Sequence, residues 1–243
     1  MFNLLKLSFQ SEVVAIHDLT PHLRRIQFSA SDFSSLRINE PGYWSKLTFP
    51  ASGGEKSQNR VYTVRQFDPT GSRMSFDFVL HGENGPGSRW ASNAKVGDVL
   101  SLSRPRSARY HVDPAAQTHI LIGDATFLPA VGEILAVLSD KVRATVIIEV
   151  EEPADEQLLP TPATLDITWL HSGTETPGTT GQIERTVRQG DIPTEDCQIW
   201  LAGESSMVRA VRKHLNDERK VGRSAVHAAG YWKLGKENYF GRG

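Results

Sequence analysis

Seven consecutive residues, Asn59-Arg60-Val61-Tyr62-Thr63-Val64-Arg65, set two guanidinium groups around an aromatic ring and a hydroxyl. In an extended segment Arg60 and Tyr62 fall on one side and Thr63 and Arg65 on the other, because successive side chains alternate. A flavin would use such groups: a flat surface against its ring, a donor near its redox-active nitrogen, and a guanidinium that binds its pyrophosphate bidentately. Taken alone, the segment reads equally well as an exposed edge strand with solvated arginines. Further along, His81-Gly82-Glu83-Asn84-Gly85-Pro86-Gly87-Ser88-Arg89-Trp90-Ala91 is a glycine-rich turn that runs into a helix. Its glycines allow close backbone approach, and the first amides of the helix offer an anion site. The turn lacks the Lys-Ser/Thr ending of a nucleoside-triphosphate loop, so its weight comes from following the Arg/Tyr segment.

The elements that must position these groups fall into two halves. Up to about Arg109 the chain shows short β-rich runs at Ser11 to His17, Arg24 to Ser29, Tyr43 to Phe49, Arg60 to Phe67, Met74 to His81 and Val99 to Ser103. About six such strands, interrupted by one short helix near Ser88 to Ala94, predict an antiparallel barrel. In the clearest run Met74, Phe76, Phe78 and Leu80 face one way, leaving Ser75, Asp77, Val79 and His81 on a face free to work. After His111 strands and helices alternate. The strands are His119 to Ile122, Val142 to Val150, Leu165 to Leu170, Gln198 to Ala202 and Ser224 to Ala228. The helices are Leu128 to Leu138, Gln182 to Arg188 and Met207 to Arg219, the last with Ser205 as N-cap. That order calls for a parallel sheet with helices on its faces. Glu151 to Pro162 reads as a surface loop. The domains are placed at 1–112 and 113–243, with the linker near Asp113 and Pro114.

Lys and Arg total 27 against 28 Asp and Glu, so nothing in the overall charge points to nucleic acid and any basic site must be local. Cys197 is the one cysteine, which excludes an internal disulfide and fits a reducing, cytoplasmic setting. It precedes an apolar strand and reads as a small core residue. The apolar start MFNLLKLSFQ is too short and too interrupted to insert in a membrane. His111, His119, His171, His214 and His227 show no metal-ligand spacing, so no resident metal is expected.

Together the two segments resemble the siderophore-interacting proteins, flavin-dependent ferric-siderophore reductases related to the ferredoxin reductases. That family's R-x-Y-T-x-R and H-G-x-x-G-P-A-S-x-W-A patterns are matched by Arg60 to Arg65 and His81 to Ala91, with Gly87 standing where the family has alanine. Lys46-Leu47-Thr48-Phe49-Pro50, Gly123 to Ala130, Ala202-Gly203-Glu204 and Gly230-Tyr231-Trp232-Lys233 continue the match in order. Arg104-Pro105-Arg106-Ser107 departs from the family's G-P-R-G.

The resemblance implies a flavin-binding antiparallel β-barrel followed by an α/β, parallel-sheet domain of the ferredoxin-reductase-like kind. It assigns Arg60, Tyr62, Thr63, His81, Gly87, Ser88 and Trp90 to the FAD, and Asp124 and Thr126 to the adenosine part. Lys46 and Lys233 would receive an anionic ferric siderophore, with Arg104, Arg106 and Arg109 as weaker candidates. The donor is NAD(P)H or ferredoxin, and no G-x-G-x-x-G in the second half decides between them. A monomer is the default expectation. Two other readings keep the same fold: a general NAD(P)H:flavin or ferredoxin-type reductase without siderophore preference, and a carrier that binds flavin or chelate without turnover.

Overall fold

A computed structural model describes residues 8–50, 56–82, 85–108, 111–237 and Tyr239 of the chain. The chain separates into two compact units, Met1–Tyr110 and His111–Gly243.

The first unit is an antiparallel sheet of β1 (Ser8–Thr20), β2 (Leu23–Ser29), β3 (Trp44–Phe49), β4 (Gln58–Thr63), β5 (Gln66–Asp68), β6 (Arg73–Val79) and β7 (Val99–Ser103). Its order is β4-β3-β7-β1-β2-β6-β5. The strand expected over Arg60 to Phe67 is thus two strands, one at each edge of the sheet, separated by Val64 and Arg65 alone. The Val64 amide donates to the Tyr43 carbonyl at 2.8 Å and the Arg65 amide to the Ser75 carbonyl at 2.8 Å. The chain therefore crosses from one edge to the other and closes the sheet into a barrel, which leaves no long unpaired edge. Phe28, Leu47, Phe49, Phe76, Phe78 and Leu102 fill the interior. Helix α1 (Pro86–Asn93) packs against β3 and β6.

Strand β6 does not keep a working face. Ser75 and Asp77 are buried along with Met74, Phe76 and Phe78. Arg25 holds the Asp77 carboxylate through two bonds of 2.6 and 2.7 Å, and Arg65 approaches it to 4.0 Å. Two guanidinium groups make burial of that charge tolerable.

The second unit is a parallel sheet of β8 (Thr118–Asp124), β9 (Arg143–Val150), β10 (Thr164–His171), β11 (Cys197–Glu204) and β12 (Val226–Trp232), in the order β10-β9-β8-β11-β12. The winding reverses between β8 and β11, a switch point of the kind where α/β sheets open a crevice at their carboxyl ends. Helices α3 (Gln182–Gln189) and α4 (Ser205–Lys213) bury Ile183, Val187, Met207, Val208 and Val211 against Ile120, Ile122, Ile199 and Leu201. Helix α2 (Leu128–Val137) buries Val131, Ile134 and Leu135. Two of the differences from the expected boundaries bear on the site. The last strand runs on to Trp232. The cap of α4 is Glu204, whose longer side chain reaches the amides of Ser206 and Met207, while Ser205 is the first helical residue. Cys197 is buried, with its thiol on the Pro193 carbonyl at 3.3 Å.

Candidate functional site

On the ribbon of β3 and β4, directly opposed residues share a face. Ser45 opposes Tyr62 and Leu47 opposes Arg60, whereas Lys46 opposes Val61 and Trp44 opposes Thr63. Ser45, Leu47 and Phe49 are buried, so Arg60 and Tyr62 lie on the inner face of the barrel, and Lys46 and Thr63 on the outer. The predicted residues of the ribbon thus divide between its two sides.

Tyr62 is set in an aromatic cluster. Its ring centroid is 4.5 Å from Phe78 and 6.1 Å from Phe49. Both of those rings also meet Trp90, at 6.0 and 5.8 Å, and Trp90 stacks on Phe28 at 6.0 Å. Trp90, half-buried, packs against the core through these rings. Burial pushes the Tyr62 phenol above its ordinary pKa, with the Arg60 charge pulling the other way. Arg60 donates to the Asn59 carbonyl at 2.9 Å and to Gln58 Oε1 at 3.0 Å, both on its own strand.

Helix α1 begins at Gly85, where φ is 92°, and has Pro86 in its first turn. Proline is suited there because it has no amide to leave unsatisfied. No side chain caps this end and no acidic residue sits in the first turn. Among the described residues no carboxylate sits in the first turn to offset the positive dipole end. Ser88 is buried, and its hydroxyl accepts from the His81 amide at 2.9 Å and donates to the Gly82 carbonyl at 2.8 Å. It shapes the glycine turn rather than facing out of it. His81 is exposed. Glu83 and Asn84 of the turn, and Arg109, lie outside the described residues. Gly87, lacking a Cβ, leaves room for the Tyr62 hydroxyl. An uncapped helix start touching the strand that carries Arg60 fits the diphosphate of a dinucleotide.

Arg65, the second arginine of the motif, serves the Asp77 cluster and the barrel closure instead. The departing turn at Arg104 to Ser107 is stitched to the start of β3. Arg106 and Trp44 exchange backbone hydrogen bonds of 2.8 and 2.9 Å, and the Arg106 guanidinium lies 5.8 Å from the Trp44 ring centroid. Ser107 bonds Glu40.

In the second unit Asp124 ends β8, buried, with Thr126 beside it. Its carboxylate accepts from the Thr126 amide at 2.9 Å, the Thr126 hydroxyl at 2.6 Å, the Glu204 amide at 2.7 Å and the Trp232 indole at 3.0 Å. Burial nevertheless lifts its pKa to about 6. Asp124 and Thr126 are together, as predicted, but the carboxylate faces inward. Two more buried carboxylates end neighbouring strands. Glu149 accepts from the Gly178 amide, the Thr180 hydroxyl and, at 3.2 Å, Gln182 Nε2, and burial raises its pKa. Glu204 caps α4 and accepts from the Leu234 amide at 3.2 Å. Lys233 is half-buried and makes no ion pair with the described residues. Tyr239 meets the Ser205 hydroxyl at 2.6 Å, tying that part of the tail to the start of α4. The sequence reading missed Glu149, Glu204 and the Trp232 indole. Gly178 and Gly203, which leave room for Asp124, and in the case of Gly178 for the Glu204 side chain, were the available signal of tight packing at this edge.

Charge is uneven along the chain: residues 1–110 carry 14 Lys and Arg against 9 Asp and Glu, and residues 111–243 carry 13 against 19. The near-neutral total hides a cationic barrel.

An antiparallel barrel followed by a parallel sheet in this order defines a ferredoxin-reductase-like fold. Ferredoxin–NADP+ reductase from Plasmodium falciparum shares it, with a TM-score of 0.67 at 14% identity over 92% of this chain and 96% of that one. Within that class the chain belongs to the siderophore-interacting protein family. Residues 116–235 match the siderophore-interacting protein family and residues 51–109 the siderophore-interacting FAD-binding domain. Ferric vibriobactin reductase ViuB of Vibrio cholerae is 31% identical over 238 residues, covering 90% of this chain and 86% of that protein. The crystal structure of a siderophore utilization protein from T. fusca superposes with a TM-score of 0.87 at 32% identity, over 96% of this chain and 95% of that one. Among the described residues no helix is long and apolar enough to cross a membrane.

Proposed function

We propose that the chain is an FAD-dependent ferric-siderophore reductase, with 1–112 as the FAD-binding barrel and 113–243 as a nucleotide-binding-like domain. The observation that carries the reading is the uncapped start of α1 at Gly85 to Gly87, in contact with the strand that presents Arg60 and Tyr62. Arg60 and the first amides of α1 would hold the diphosphate, and Tyr62 would border the ring system. Ser88 fixes the turn between them. FAD, when bound, supplies the ability to take two electrons from NAD(P)H or a reduced ferredoxin and to hand them on singly, so two ferric ions are reduced per two electrons accepted. Fe(II) is a poorer partner than Fe(III) for hard, anionic oxygen ligands, so reduction loosens the chelate. The protein's part is electrostatic. Lys46, Lys233 and the cationic excess of the barrel favour an anionic ferric siderophore.

The lone, buried Cys197 fits a cytoplasmic protein, with the siderophore as small-molecule substrate and a monomer as the working form. The test is charge reversal. Lys46→Glu with Lys233→Glu, in protein still loaded with FAD, should slow reduction of an anionic ferric siderophore by about tenfold or more at low salt and flatten its salt dependence. An unchanged rate and salt dependence would reject a role for the two lysines in receiving the chelate. Rates on free flavin far above those on ferric siderophores would point to a general flavin reductase instead.

A further inference from the structure

The carboxyl edge of the parallel sheet is where a ferredoxin-reductase-like fold would be expected to grip the diphosphate of a nicotinamide dinucleotide. Backbone amides at the starts of the helices, with glycines that let the chain come close, make such a grip. This chain has both the amides and the glycines, but spends them on its own carboxylates. Six backbone amides at this edge already donate inward. Those of Thr126 and Glu204 go to Asp124, that of Gly178 to Glu149, and those of Ser206, Met207 and Leu234 to Glu204.

The glycines follow the same pattern. Gly203 (φ 137°) and Gly178 (φ 86°) adopt backbone conformations that side chains disfavour, and a Cβ on either would fall 2.3 or 2.6 Å from Asp124 Oδ2. Their close approach serves Asp124. Behind them, a Cβ on Gly123 would lie 2.1 Å from the Ala202 carbonyl and 2.9 Å from Phe127, so β8 passes straight into a packed turn. The first turn of α2 is Leu128-Pro129-Ala130, buried throughout and missing one amide at Pro129. A diphosphate entering here would find these amides already taken by three carboxylates, in the half of the chain that carries the acidic excess.

We infer that Asp124, Glu149 and Glu204 act as built-in anions that fill the dinucleotide-phosphate position, so the protein accepts reducing equivalents without gripping the phosphates of a nicotinamide donor. This rests on the reductase reading above for the identity of the donor. Two consequences are measurable. The adenosine diphosphate half of the donor contributes nothing to recognition, and the 2′-phosphate does not discriminate NADPH from NADH.

The experiment uses the whole, FAD-loaded chain. ADP-ribose, titrated calorimetrically, should show no saturable binding below about 1 mM. In anaerobic stopped flow, flavin reduction by NADH, NADPH and the phosphate-free 1-benzyl-1,4-dihydronicotinamide should rise linearly with concentration, with NADH and NADPH within about threefold of one another. Sub-millimolar ADP-ribose binding, or saturating reduction that favours one phosphorylation state by more than about tenfold, would overturn the inference. Failure of the reductase reading looks different: the protein emerges colourless or its photoreduced flavin leaves ferric siderophore untouched. The ADP-ribose titration reads the second unit in either event.

Discussion

The hydroxyl of Tyr62 stands where a methyl group on residue 87 would be: a Cβ built on Gly87 falls 1.9 Å from Tyr62 Oη and 3.1 Å from its Cζ. The departure from the family's alanine at this position is thus matched by the pose of the motif tyrosine. Gly87→Ala should force the Tyr62 ring to turn, and should cost less once Tyr62→Phe has removed the obstructing oxygen and left only the tight contact to Cζ. A double-mutant cycle on apoprotein stability in urea should therefore give a coupling of at least about 0.5 kcal/mol. Equal effects of Gly87→Ala in both backgrounds would show that the two positions are independent.

Arg60 would carry the charge-assisted contact to the diphosphate, and its removal should be felt more by the ligand than by the fold. Arg60→Ala is expected to weaken FAD binding roughly 10- to 100-fold, the loss of a charge-assisted contact to phosphate. Stability of the apoprotein should change by no more than about 1 kcal/mol. Flavin fluorescence titration and urea unfolding measure the two separately.

Asp77 has the opposite profile. Asp77→Ala leaves Arg25 and Arg65 facing each other in a largely buried place, with a cost of about 3–5 kcal/mol. The barrel should then unfold at markedly lower urea, and replacing Arg25 by methionine alongside should recover part of the loss.

Asp124 gives a pH signature. Its carboxyl is lifted from an ordinary 3.8 to about 6 by burial, against the hydrogen bonds from Thr126, Glu204 and Trp232. The folded chain binds this proton more tightly than the unfolded chain. Its contribution is therefore present in full below about pH 4 and lost as pH rises to about 6, roughly 3 kcal/mol in all. Asp124→Asn should remove that part of the slope. Urea unfolding of both proteins between pH 4 and 6.5 tests the sign, and parallel curves would show that Asp124 does not titrate in this range.

Much of this arrangement was legible in the residues themselves. Period-two runs located the barrel strands, strand–helix alternation located the parallel sheet, and the two motif segments named Arg60, Tyr62 and the α1 turn. What could not be read was long-range. Val64 and Arg65 look like any strand residues, and only pairing with Tyr43 and Ser75 shows that the chain changes edges there. The alternation of β6 concealed that Asp77 would be covered by Arg25 from a neighbouring strand. Likewise Asp124 meets Glu204 and Trp232 across 80 and 108 residues of sequence, a distance over which no local pattern speaks.

The two-residue crossing at Val64 and Arg65 makes the motif the clasp of the barrel as well as its proposed contact to the ligand. A loosened clasp would spill the chromophore and a departing chromophore would slacken the clasp. On gentle heating, bleaching and melting should consequently arrive at one temperature, and added FAD should move that temperature upward.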